Sequence, residues 1–256
     1  MCEIRFSFEK DLDISSTLVT KVQECSDFSN YNLRVQALRN IPVNILRSNP
    51  AMKYAPMYKL EGENYSIGFG YNSVFIDKKS LYVNFEEFEG IITKVFELLT
   101  TNETRFIKIE ELRLKYVNLF PGSTLYQATK LNLRYNDYEI DQNSKATVNV
   151  EKKEKNDCSI NITLINNAIV RNVENSNTIN ASVVDLDTVK DISKLDIHAF
   201  SDDALCKSLR ELHDYIYREF CGLINEDYSV AEDIAMEIQG KGEPVEWIPV
   251  EILLCN

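Results

Sequence analysis

The chain reads as an α+β protein in which a mainly antiparallel sheet is covered by two long amphipathic helices. Three observations predict this class. Period-two alternation of apolar and polar residues recurs from the first residues to the last. Two segments, near 84–100 and 201–222, switch to a helical period. Short turn signals such as Glu61-Gly62-Glu63 and Tyr71-Asn72-Ser73 separate β-rich runs, the pattern of an antiparallel meander.

In chain order, Cys2, Ile4, Phe6 and Phe8 alternate with Glu3, Arg5 and Ser7, which predicts a half-buried strand. Ser15 and Ser16 offer caps for a short helix with a stripe of Leu18, Val19, Val22 and Cys25. Over 31–56, Leu33, Val35 and Ala37 alternate, but Pro42, Pro50 and Pro56 interrupt, so a strand followed by an irregular connection is expected. The meander occupies 57–76. From Asn84, a helix carries Phe85, Phe88, Ile92, Val95, Phe96 and Leu99 on one stripe, with Glu86, Glu87, Glu89 and Lys94 off it. The early glutamates suit the positive end of the helix dipole.

The stretch 105–121 is the expected centre of the sheet. Leu112, Leu114, Tyr116, Asn118 and Phe120 point one way, and Arg113, Lys115, Val117 and Leu119 the other. Residues 123–131 match neither period, and 131–135 is expected to be a strand. Strands at 146–150 and 159–171 flank a charged turn at 151–157 and predict a hairpin with a charged tip, followed by a strand at 178–186. The last helix follows Ser201, a cap, with Phe200 as a staple against Leu205 and Gly222 as its stop. Its stripe is Leu205, Leu209, Leu212, Ile216, Phe220 and Leu223. The tail, with Trp247 between Pro244 and Pro249, is apolar enough to dock as a strand.

A β-rich segment ending in a long helix occurs twice, which suggests an N-terminal half, 1–122, and a C-terminal half, 123–256, with possible duplication. One continuous domain of ordinary α+β alternation is the plainer reading.

Composition narrows the chemistry. The chain has 256 residues, and a net charge of −12 opposes polyanions and anionic membrane. Six cysteines lack any CxxC spacing, and two histidines make a structural zinc site improbable. No basic leader or long apolar run is evident, so a cytoplasmic setting with reduced thiols is expected. Neither a phosphate-binding glycine loop nor a GxSxG elbow occurs, and only His198 and His213 offer a base for a triad.

The Leu-Lys-Tyr-Val-Asn pattern from Leu114 to Asn118, within 112–120, resembles the Leu-Arg-Tyr-Ile-Asn strand of a sporadically distributed family of uncharacterised bacterial proteins. Val-Asp-Leu-Asp from Val184 to Asp187 and Leu212-His213 with Phe220 and Ile224 are similar to that family's later motifs. Lys115 and Leu119 stand where the family carries arginine. The resemblance implies a shared fold and a bacterial or phage setting, and supplies no mechanism.

Several residues are candidates for chemistry. Arg113 and Lys115 share a strand face and, with Lys108 or Arg134, offer an anion site beside Tyr116 and Asn118, with His213 as a local base or brace. Salt bridges to the surplus carboxylates are the competing role. Asp185 and Asp187, two apart at a strand end, offer two oxygens to a divalent metal. Asp141, Glu151 and Lys153 match a loose Asp…Glu-x-Lys nuclease constellation. The balance favours a non-catalytic binding or accessory protein that needs no cofactor and acts through a protein partner, with a homodimer open and membrane and nucleic acid disfavoured. A metal-dependent nuclease and a small-ligand-binding protein are the alternatives.

Overall fold

The computed structural model describes residues 1–8, 15–50, 52–79, 84–100, 107–131, 134–135, 138–139, 144–154, 157–172, 178–193, 201–225 and 250–253. The class is α+β with a large antiparallel sheet. The chain divides into two compact units. Unit 1 comprises Met1–Leu114, Asn156–Cys158 and Val189–His213; unit 2 comprises Lys115–Lys155, Ser159–Thr188 and Asp214–Asn256.

Unit 1 begins with β1 (Cys2–Phe8) and α1 (Ser15–Glu24). Ser15 and Ser16 lie inside the first turn of α1 and do not precede it. Strand β2 (Asn32–Val35) leads into a 3-10 turn (Ala37–Asn40) and a short helix, α2 (Val43–Ser48). The prolines thus bracket a helical turn within the connection: Pro42 lacks an N–H, and the cap position does not need one. The meander follows as β3 (Pro56–Glu61), β4 (Tyr65–Gly70) and β5 (Ser73–Lys78). At its first turn Gly62 lets the Tyr31 ring lie against the backbone, because a Cβ there would come within 2.4 Å of that ring.

Helix α3 (Phe85–Leu99) is capped by Asn84, whose side chain accepts from Glu87 N at 2.8 Å. It buries Phe88, Ile92, Val95, Phe96 and Leu99 as the periodicity requires, and Glu89 besides. Strand β6 (Ile107–Pro121) pairs antiparallel with β1, which also pairs antiparallel with β5. The order within this unit continues β5-β4-β3-β2, so β2 is the outermost strand. Cys2, Ile4, Phe6, Leu112, Leu114, Val74, Ile76, Ile67, Phe69 and Leu60 form the core face of the sheet.

Unit 2 holds the second part of β6 and α4 (Leu125–Ala128), the segment that matched neither period. Four residues are too short to show a stripe, but Thr124 and Gln127 close a complete capping box around it. The two-residue strands β7 (Arg134–Tyr135) and β8 (Tyr138–Glu139) pair with each other; of the strand expected at 131–135, Arg134–Tyr135 is a strand and 132–133 lie outside the described residues. Strands β9 (Ala146–Lys153) and β10 (Cys158–Asn172) pair as the expected hairpin, but β9 runs on through Glu151–Lys153, which the spacing assigns to the turn; residues 155–156 lie outside the described residues. Strand β11 (Thr178–Asp191) lies between β10 and β6, and β12 (Val250–Leu253) pairs with β10. Gly122 N donates to Asn180 O. Asn118 Nδ2 reaches Val184 O, so as one strand's index falls the other's rises, the mark of an antiparallel pair.

Helix α5 (Asp202–Leu223) contributes to both units and continues past Gly222. Ser201 Oγ accepts from Ala204 N, which supports it as the cap, while the Phe200 staple and Trp247 lie outside the described residues. No helix among the described residues is long and apolar enough to cross a membrane.

Candidate functional site

The polar face of unit 1 is built by strand register. Glu3 pairs across the ladder with Arg113, and Arg5 with Glu111. Two Glu-x-Arg repeats run antiparallel, so each glutamate meets an arginine. Glu3 is 2 % exposed, and its carboxylate accepts from Arg5 Nε at 2.7 Å and Arg113 Nη1 at 3.4 Å. Arg5 Nη1 lies 2.7 Å from Glu111 Oε1, and its guanidinium stacks 4.0 Å over the Tyr54 ring. Strand β1 is therefore closed on both faces at Glu3 and not merely half-buried, because the ion pairs fill the face that alternation marks as polar. The two Glu-x-Arg repeats were the sequence signal for this pairing.

Arg113 accordingly sits against Glu3, while Lys115 belongs to unit 2 and pairs with Asp185 at 2.8 Å. The proposed anion ligand and the proposed metal ligand are thus partners in one ion pair. Burial pushes the Asp185 carboxyl above the usual range, Lys115 opposes that shift, and Asp187 on the same strand face reinforces it. Among the described residues no group of three or more His, Cys, Asp or Glu stands together as a metal cage. Asn118 donates to the β11 backbone at Val184 O, which fixes strand pairing. Tyr116, next to Lys115, is half-buried.

His213 stacks on Phe85 with centroids 4.1 Å apart and planes 17° apart, so it braces α5 against α3. Of the nuclease constellation, Asp141 lies outside the described residues, and Glu151 and Lys153 are exposed on β9 opposite Asn161 and Ser159. Arg134 is in β7, and Lys108 lies opposite Ser7 on β1.

Residues from β2 to β3 add a feature that alternation does not reveal. Arg39 donates to the Tyr58 hydroxyl, and Arg47 donates to the Tyr71 hydroxyl while stacking 4.6 Å from that ring. Lys53 lies 4.8 Å over Tyr54. Nearby, Lys78 donates to Tyr65 at 3.0 Å and to Glu87 at 3.2 Å, and Tyr65 donates to Glu87 at 2.6 Å. These bonds hold the Glu87 carboxyl below its ordinary range, the Tyr65 bond most strongly. Burial pushes the Cys2 thiol up to about 12, which keeps it protonated and unreactive.

No protein family, curated protein or solved structure matches the chain.

Proposed function

We propose that the chain is a non-catalytic binding or accessory protein of a bacterial or phage system that acts through a protein partner. The observation that supports this is the ion pairing of the charged candidates: Arg113 is engaged by Glu3 and Lys115 by Asp185. A small anion or a metal would have to displace a half-buried partner before binding, and that displacement costs each site much of its affinity. Protein recognition uses surface and backbone and leaves these pairs intact. In the same reading α3 and α5 cover two related halves of the sheet, and the acidic balance of −12 disfavours nucleic acid.

The nuclease alternative is separated by assay. Purified protein is incubated with DNA and with RNA in magnesium, alongside a triple alanine variant at Asp141, Glu151 and Lys153. Equal background from both proteins is expected. Degradation by the parent that the variant abolishes replaces the binding reading with a catalytic one. An affinity capture from the native host, with nucleic acid assayed in the same eluate, tests the positive side.

A further inference from the structure

We propose that β2 is a docking edge onto which an extended acidic segment of the partner protein adds as a further strand; this deepens, and rests on, the protein-binding reading above. Among the described residues β2 pairs only with β3, and it ends the strand order of unit 1. Gln36 N donates to Met57 O at 2.9 Å, which makes that cross-strand pair a hydrogen-bonded one. Bonded and non-bonded pairs alternate along an antiparallel ladder, so Arg34 and Asn32 bond inward to β3. Leu33 and Val35 therefore turn their N–H and C=O groups outward, away from β3.

The side chains at the same two positions are also open. Leu33 lies opposite the buried Leu60, and Val35 opposite the buried Tyr58, so both continue the apolar core face of the sheet. Leu33 is nevertheless 43 % exposed and Val35 61 %. Backbone donors, backbone acceptors and apolar side chains thus coincide at alternate residues, the arrangement that receives an added strand. Sheet edges of this kind are ordinarily blunted by a charge or a bulge. Here the charge is Arg34, on the opposite face, where it pairs with Glu61 at 2.7 Å.

Charge selects the occupant. Residues 28–60 carry Arg34, Arg39, Arg47, Lys53 and Lys59 and no aspartate or glutamate, in a chain of net charge −12. Glu61, the next residue, already pairs with Arg34, but the Arg34 side chain stays 67 % exposed and the positive excess remains. This favours a segment that alternates apolar residues, over Leu33 and Val35, with acidic residues that share the Arg34 guanidinium with Glu61. A second copy of the chain is a poor occupant, because a second β2, Asn-Leu-Arg-Val, brings another arginine and no carboxylate. A nucleic acid strand would use the charge but neither the outward ladder groups nor the apolar pair.

The test titrates the full chain with three labelled probes: an octapeptide alternating valine and glutamate, one alternating valine and lysine, and a single-stranded DNA of similar length. Fluorescence anisotropy reports binding, and hydrogen exchange reports the amides of Leu33 and Val35. The valine–glutamate peptide is expected to bind best and to slow exchange at both amides. Arg34→Glu is expected to weaken it about tenfold and to strengthen the lysine peptide. Val35→Pro removes an outward donor, a change that a strand edge accommodates without unfolding, and is expected to abolish binding. Equal or better binding of DNA or of the lysine peptide, unprotected amides, or an indifferent Arg34→Glu variant overturns the proposal. Host capture then separates the two levels. A stoichiometric protein partner lost with Val35→Pro supports the edge. One retained by that variant overturns the edge and leaves the protein-binding reading standing. No partner for either form overturns both.

Discussion

Glu89 and Arg210, 121 residues apart in the chain, meet through two parallel bonds, Nε to Oε1 and Nη2 to Oε2, each 2.9 Å long. The carboxylate side chain is 8 % exposed, whereas the guanidinium is 65 % exposed. The pair is therefore asymmetric: its value lies in keeping a buried anion satisfied. Arg210→Ala is expected to lower the thermal midpoint by several degrees, and Arg210→Lys to restore only part of it, since lysine cannot make the two-point contact. Replacing both residues by leucine recovers most of the loss. Calorimetry on the four proteins checks this, and an unchanged midpoint in Arg210→Ala removes the pair from the account of stability.

Asp77, on β5, is raised above the usual carboxylate range by burial, against the pull of the chain's amino terminus and Lys59. The folded form then holds its proton to higher pH than the unfolded form. Stability from this group is lost as pH rises from the ordinary aspartate range through the raised value. Asp77→Asn is expected to stabilise the protein at pH 7, with the gain vanishing at acidic pH. Urea midpoints measured across pH decide it; a gain that grows on acidification contradicts the assignment.

Lys115 and Asp187 act on Asp185 in opposite directions. Lys115→Met is expected to raise the Asp185 titration midpoint further, and Asp187→Asn to lower it. Carboxyl-detected NMR of Asp185 reads both shifts. In the Lys115 variant, stability falls more steeply as pH rises through the Asp185 range, because the folded protein's excess proton uptake has grown. Coincident titrations in all three proteins refute the coupling.

Asn166 is buried in unit 2 and joins two segments: Leu125 N donates to its Oδ1 at 2.9 Å, and its Nδ2 donates to Ser144 O at 2.8 Å. Asn166→Ala strands both backbone groups, at an expected cost of about 2–4 kcal/mol. Asn166→Asp keeps the acceptor but, when ionised, sets a buried charge against the Ser144 carbonyl, so its cost is at least that of alanine and eases as acid protonates it. Denaturant unfolding monitored by circular dichroism supplies the comparison.

Elements defined by their own period were legible in the sequence. Strand β1 spans the predicted residues, the meander follows its turn signals, and α3 and α5 bury most of the stripes that their spacing marks, with Phe85, Phe220 and Leu223 only half-buried. Periodicity failed where the cause of burial was remote. Glu89 and Glu3 sit at positions that their periods assign to solvent; Arg210 from a distant part of the chain reaches Glu89, and Arg5 together with the distant Arg113 covers Glu3. Helices α2 and α4 are too short to repeat a stripe, and α4 shows only in its capping residues. At the candidate site the residue types were visible, but the Lys115–Asp185 pair spans two strands whose register no local pattern states. The edge character of β2 was hidden for the same reason, since only the strand order shows which strand comes last.

The interleaving of the units has a consequence for synthesis. Unit 1 draws on Val189–His213 as well as on Met1–Leu114. A nascent chain that has emerged only through β6 lacks the arginine for Glu89 and the imidazole that stacks on Phe85. Until residues through His213 have been made, the amino-terminal sheet carries Glu89 without its arginine, and α3 is held only by partners such as Tyr65, Lys78 and Asp27.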